Sequence, residues 1–76
     1  MNRNRKDEIK RIIEVREAIM MERGLSKTDY AEKLGYDLKA YNQIERRGAI
    51  ANYLISLHSA FGISADYILH NIKSPF

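Results

Sequence analysis

The sequence contains no cysteine, and its single proline lies at position 75 of 76 residues. Without cysteine, neither disulfide bonds nor a Cys-based zinc site can stabilise the domain. No apolar run approaches the roughly 20 residues that a membrane-spanning helix requires, and the N-terminus lacks the apolar segment of a signal peptide. We therefore expect one small cytoplasmic domain that is stabilised by packing and has no membrane segment.

Charged residues are concentrated in the first two thirds of the chain. Residues 1–23 contain seven basic residues (Lys or Arg) and five acidic residues (Asp or Glu). Residues 24–48 contain five basic and four acidic residues, and residues 49–76 contain one basic and one acidic residue. The formal net charge of +3 permits attraction to a polyanion without establishing it. Any anion-binding surface is therefore expected within residues 1–48.

Apolar residues recur at three- and four-residue steps, which is the spacing of one helix face. This pattern predicts an all-α fold with five helices at about 7–23, 27–34, 38–46, 51–61 and 65–72. Ser26 and Asp37 are expected to cap the second and third helices. Residues 1–6, MNRNRK, contain three cations and are expected to form a flexible basic arm.

The second and third predicted helices are short and are joined by a turn that contains Gly35, which indicates a helix-turn-helix unit. Ala31 is small where the two helices must cross closely. The apolar residues expected to fix the angle between them are Tyr30, Leu34, Tyr36, Tyr41 and Ile44.

These residues carry a resemblance to a known family. The segment 25–45, LSKTDYAEKLGYDLKAYNQIE, resembles the helix-turn-helix of the phage repressor and Cro-like family, also called the XRE family. The segment 57–69, LHSAFGISADYIL, resembles the fourth and fifth helices of that family, so the resemblance covers roughly residues 12–70. It implies a compact five-helix, lambda-repressor-like domain and a role as a sequence-specific transcriptional regulator.

The resemblance also implies that the helix 38–46 enters the major groove of DNA. Asn and Gln can bond adenine, Lys favours guanine, and Leu can contact the thymine methyl group. The residues expected to contact bases are Lys27, Leu38, Lys39, Asn42 and Gln43. Those expected to contact phosphates are Arg46, Arg47, Arg3, Arg5 and Lys6. The alternative is that these are ordinary solvated helix residues, and that Arg46 and Arg47 stabilise the end of their helix.

The sequence departs from the family pattern at three places. Asp37 stands where the family often has Ser or Thr, so its charge would repel a phosphate. Met20 stands where the family often has arginine, which leaves Arg16, one turn earlier, as the candidate partner of Glu45. The connection after Glu45 is shorter by about two residues and lacks proline.

A second hypothesis follows from the acidic residues on this surface. The chain could be an antirepressor-like modulator that binds a partner repressor rather than DNA. Asp37 and Glu45 would pair with cations of the partner, and Leu38 would serve as the apolar anchor.

Catalysis, cofactors and metal binding are not expected. No nucleophile has an evident base beside it and no glycine-rich phosphate loop is present. His58 and His70 lie twelve residues apart, and His58 is expected on the buried side of the fourth helix. The tyrosines at 30, 41, 53 and 67 are expected to be core or rim residues whose hydroxyls reach outward.

The apolar residues near the chain end suggest a homodimer. Ile68, Leu69, Ile72 and Phe76 could form its interface or fold back on the core. Such a dimer would place two recognition helices roughly 34 Å apart and predicts a palindromic site.

Overall fold

A computed structural model describes residues 5–48 and 50–70. It confirms the predicted all-α fold with five helices. They are α1 (Arg5–Arg23), α2 (Lys27–Lys33), α3 (Leu38–Arg47), α4 (Ala51–Phe61) and α5 (Ala65–His70). Within the described ranges there is no strand, and none of the helices there is both long and apolar enough to cross a membrane.

Helix α1 begins two residues earlier than the sequence pattern predicts. Arg5 and Lys6 are therefore helical and exposed rather than part of a flexible arm. Asp7 and Glu8 lie in the first turn, where carboxylates interact favourably with the free amides of a helix. Arg3, like Ile72 and Phe76, lies outside the described residues.

Each helix contributes to one apolar core. Helix α1 packs against α2, α3 and α5, while α2 packs against α3 and α4 against α5. The buried apolar side chains are Ile12, Val15, Ile19, Tyr30, Ala31, Leu34, Tyr41, Ile44, Tyr53, Leu57, Phe61, Ile63 and Ile68. Ile63 lies between α4 and α5, so the core also includes the connection between these helices.

Aromatic rings form the part of the core that lies between α2, α3 and α4. Tyr30 stacks on Phe61 with 5.1 Å between ring centroids and meets Tyr41 edge to face at 5.6 Å. Tyr53 lies 6.2 Å from Tyr41. We call Tyr30, Tyr41 and Tyr53 the tyrosine cluster.

The hydroxyls of the tyrosine cluster do not reach outward, so that prediction is wrong. All three side chains are fully buried, and none of the hydroxyls has a partner at hydrogen-bonding geometry among the described residues. Burial raises the pKa of Tyr30 to about 12 and also raises the pKa of Tyr41 and Tyr53. The three hydroxyls nevertheless lie close enough together to influence one another's ionisation.

The spacing of Ile50, Leu54, Leu57 and Phe61 predicts the buried face of α4, and the structure buries Leu57 and Phe61 and leaves Leu54 half-buried against the core. Tyr53 is buried as well, whereas Ile50, the N-cap residue that precedes the helix, is 55% exposed. The large ring of Tyr53 joins the aromatic core and so sets the rotation of the helix. His58 is exposed rather than buried, which contradicts the prediction.

Helix α5 is held by α1. Arg11 donates a hydrogen bond from Nε to the carbonyl of Ile68 at 2.9 Å and one from its terminal nitrogen to the carbonyl of Leu69 at 3.3 Å. These bonds satisfy carbonyls that the end of a helix leaves without partners. Ile68 is fully buried and belongs to the core rather than to the predicted dimer interface, while Leu69 is half-buried.

Candidate nucleic-acid interface

The turn between α2 and α3 is fixed by backbone hydrogen bonds. The amide of Gly35 donates to the carbonyl of Glu32 at 3.0 Å, and that of Tyr36 donates to the carbonyl of Ala31 at 3.0 Å. This pair of bonds is a Schellman motif. Gly35 has a φ of +89°, a conformation that L side chains rarely adopt. The glycine therefore ends α2 and directs the chain into α3.

Both helices begin at the predicted capping residues. The amide of Asp29 donates to Ser26 Oγ at 3.1 Å, and the amide of Ala40 donates to Asp37 Oδ1 at 2.7 Å. The carboxylate of Asp37 is thus occupied at the start of α3. There it satisfies a free amide and interacts favourably with the helix dipole.

Helix α3 has one buried face and one polar face. Tyr41 and Ile44 are buried, whereas Lys39 and the two arginines at its end, Arg46 and Arg47, are exposed. Asn42, Gln43 and Leu38 are half-buried. Leu38 is therefore less prominent on the surface than expected. Of the polar residues assigned to base and phosphate contact, Lys39, Asn42, Gln43, Arg46 and Arg47 lie on α3, while Lys27 lies on α2 and Arg5 and Lys6 lie on α1.

Glu45 connects α3 to both preceding helices. Arg16 Nε on α1 lies 2.5 Å from Glu45 Oε2, and Lys27 Nζ on α2 lies 3.4 Å from Glu45 Oε1. The side chains of Arg16 and Glu45 are only 13% and 10% exposed. Burial opposes the charge of Arg16, but the hydrogen bond and the negative charge of Glu45 outweigh it and raise the pKa of Arg16. The expectation that Arg16 is the partner of Glu45 is confirmed.

The contact with Glu45 gives Lys27 a structural role in addition to its expected contact with a base. Its side chain is 35% exposed, so it lies at the joint between α2 and α3 while remaining accessible from solvent. If the ammonium moved to a base edge, Glu45 would keep the hydrogen bonds of Arg16. Lys27 can therefore change partners without leaving the carboxylate of Glu45 uncompensated.

The connection after α3 lies against the start of α1. A side chain at Gly48, which has a φ of +102°, would come within 3.4 Å of Glu8 Oε1 and 3.5 Å of Arg5 Cγ. The structure thus brings Arg5 close to the residue that follows Arg47, so these two predicted phosphate contacts are neighbours. Sequence reasoning missed Glu8, which is 1% exposed. In a helix rich in charged residues, nothing distinguishes this carboxylate from solvated ones.

The described residues contain no group of three His, Cys, Asp or Glu side chains arranged to hold a metal ion. Comparison of the chain with protein-family models, with curated proteins and with solved structures finds no significant match.

Proposed function

We propose that this protein is a sequence-specific DNA-binding transcriptional regulator of the phage repressor and Cro type, acting in the cytoplasm. The observation that carries the proposal is the arrangement of α3. The helix is held on its inner side by buried Tyr41 and Ile44 and by the paired carboxylate of Glu45. Its opposite side carries the polar residue types that read base edges.

The surface offers chemistry for both components of DNA recognition. Lys39, Asn42 and Gln43 are the candidates for base readout in the major groove, with Lys27 beside them. Exposed Arg46 and Arg47 at the end of α3 are the candidates for phosphate contacts, which supply affinity that depends on salt.

The contacts of the two carboxylates favour DNA over a partner repressor. The antirepressor hypothesis requires Asp37 and Glu45 to meet cations of a partner. Asp37 already accepts the amide of Ala40, and Glu45 is largely buried between Arg16 and Lys27. Glu45 is therefore not available to a partner, and Asp37, although exposed and charged, already uses one of its oxygens to cap α3, whereas the arginines at the end of α3 are exposed to solvent.

The test measures binding of the purified chain to labelled duplex DNA by fluorescence anisotropy across a salt series. Random duplex is used first, followed by a selected site and the region upstream of the protein's own gene. We expect binding that weakens steeply with salt and prefers one site. Absence of binding even at low salt would contradict the proposal and favour the antirepressor hypothesis.

Two variants separate base contacts from phosphate contacts. Lys39→Ala should cost about 1–3 kcal/mol at the selected site and relax the preference at one position. Arg47→Gln should weaken binding to all sequences and reduce the salt slope by about one. Lys10→Gln, on the exposed side of α1, removes the same charge elsewhere and is the matched control.

Asp37→Ser distinguishes the two hypotheses. Serine can keep the cap of α3 while removing a negative charge from the proposed DNA-binding surface. We expect tighter binding to DNA. If the chain is an antirepressor, the same change should instead weaken binding to the partner repressor and leave DNA affinity negligible.

A further inference from the structure

The sulfur of Met20 contacts the ion pair that joins α1 to α3. Arg16 Nη1 donates a hydrogen bond to Met20 Sδ at 3.4 Å, while Nε and Nη2 of the same guanidinium donate to the carboxylate of Glu45. One of the three nitrogens thus binds a thioether, which is a weak acceptor. Met20 is half-buried and packs against the apolar core, so its sulfur has a fixed neighbour and is still reached by small solutes.

Thioethers are the sulfur groups through which this chain can react with a peroxide. The sequence contains no cysteine and three methionines, at positions 1, 20 and 21. The sulfur attacks one oxygen of hydrogen peroxide, the O–O bond breaks, and the hydroxide that leaves takes the proton of the transferred hydroxyl to become water. The sulfur loses two electrons and gains an oxygen. The product is methionine sulfoxide, which reductases convert back to the thioether.

We propose that Met20 is a reversible oxidation site through which hydrogen peroxide weakens the contact between α1 and α3. A sulfoxide oxygen accepts hydrogen bonds far better than a thioether sulfur, and the charged donor Arg16 lies beside it. A hydrogen bond needs about 2.9 Å between nitrogen and oxygen. Nitrogen and sulfur are only 3.4 Å apart, and the new S–O bond takes up part of that distance. An oxygen on this side therefore forces the two side chains apart.

Movement of Arg16 changes the contacts of Glu45. This carboxylate is only 10% exposed, and without the hydrogen bonds of Arg16 it keeps Lys27, at 3.4 Å, as its partner among the described residues. Oxidation thus loosens α3 from α1 and holds Lys27 at Glu45. The second effect reaches DNA recognition and rests on the proposed function, whereas the first concerns the folded domain alone.

The neighbouring methionine provides a matched control. Met21 is 86% exposed, so its sulfoxide is a polar group placed in water and should change nothing in the fold. Because it is the more accessible of the two, Met21 should also oxidise faster than Met20. The two side chains follow each other on α1, yet only Met20 touches the ion pair.

The test treats the full chain with hydrogen peroxide and uses two variants that each keep one of these methionines. Mass spectrometry follows the added oxygen, and urea unfolding is measured before and after treatment. Oxidation of Met21→Leu, which keeps Met20, should lower the urea midpoint by about 0.5 M or more. Oxidation of Met20→Leu should leave the midpoint unchanged. Both variants keep Met1, so its oxidation affects them equally.

The NMR signal of the Arg16 Nε–H group separates the proposed contact from a general loss of packing. In Met21→Leu this signal should shift on oxidation, because the guanidinium changes partners. Methionine sulfoxide reductases should then restore both the signal and the urea midpoint. If the chain binds a selected DNA site, oxidised Met21→Leu should bind it at least about fivefold more weakly, through the loss of Lys27 from the base.

Three outcomes would overturn the inference. Met20 could stay a thioether during prolonged exposure to the peroxide concentration that fully converts Met21. Oxidised Met21→Leu could keep its Arg16 signal and its urea midpoint, or oxidised Met20→Leu could lose as much stability as oxidised Met21→Leu. Each variant is compared with its own untreated form, so a change in stability caused by leucine does not affect the result. None of these measurements uses DNA, so the inference can fail while the proposed function stands.

Discussion

Raising the pH should unfold the domain through the tyrosine cluster. In the unfolded chain a tyrosine ionises near its ordinary pKa of 10.0, while in the folded protein burial raises the pKa of Tyr30 to about 12 and raises those of Tyr41 and Tyr53 as well. Above pH 10 the folded state therefore holds protons that the unfolded state has released. Stability is fully present below pH 10 and falls as the pH rises toward the folded pKa values.

The size of the effect follows from the number of protons. Each proton that the folded state retains lowers the free energy of unfolding by about 1.4 kcal/mol for each pH unit. Three buried tyrosines therefore lower it by about 4 kcal/mol per pH unit. Tyr30 alone, shifted over about two units, accounts for about 3 kcal/mol by pH 12. The three together exceed the roughly 5 kcal/mol that is typical of the less stable small domains. The domain should therefore unfold cooperatively between pH 10 and 12.

Urea unfolding at several pH values between 9 and 11.5 would measure this slope, with tyrosinate absorbance and helix content followed on the same samples. The buried tyrosines should ionise in the same step in which the helices are lost. Tyr53→Phe should lower the slope by about one third and cost little at pH 7, since its hydroxyl has no partner at hydrogen-bonding geometry. Ionisation of all five tyrosines while the helices remain intact would refute the reasoning.

Three further predictions concern the stability of individual contacts and can be checked by urea unfolding at pH 7. Arg16→Met should destabilise the protein by about 1–3 kcal/mol, because the largely buried Glu45 loses the hydrogen bonds of Arg16 and keeps only the contact with Lys27, and adding Glu45→Met should recover most of the loss; equal destabilisation in both variants would count against a buried ion pair. Asp37→Ala should cost about 1 kcal/mol while Asp37→Ser costs little, because only serine can keep the cap; identical losses would show that the loss does not come from the missing cap. Arg11→Ala should cost about 1–3 kcal/mol through the carbonyls at the end of α5, with Lys10→Ala as the neutral control, and an unchanged midpoint would contradict this role.

The features that depend on local sequence could be predicted, and those that depend on tertiary packing could not. Helix number, the caps at Ser26 and Asp37 and the break at Gly35 follow from residues a few positions apart. The rotation of α4 depends instead on where Tyr53 finds space among aromatic rings from other helices. The burial of Glu8 likewise depends on the chain returning past the end of α3.

The features of the candidate interface likewise divide into those that the sequence predicts and those that depend on tertiary packing. Periodicity identifies which residues of α3 face away from the core, and the partnership of Arg16 with Glu45 could be anticipated from the resemblance to the phage repressor and Cro-like family, because Met20 stands where that family often has arginine. The position of Arg5 beside Gly48 could not, because it depends on α1 starting earlier than its apolar pattern does. A polar segment without apolar periodicity gives no sign that it is helical.

The contact between the first and last helices has a consequence for synthesis of the protein. Helix α1 leaves the ribosome before α5, so Arg11 finds the carbonyl of Ile68, 57 residues later, only when α5 has been made. At the usual speed of translation this delay is roughly 3–11 s. During that interval the apolar side of α1 lacks one of its permanent neighbours, so a nascent chain that stops before α5 is a substrate for chaperones and proteases. The native domain is therefore completed only after α5 has been made, rather than helix by helix.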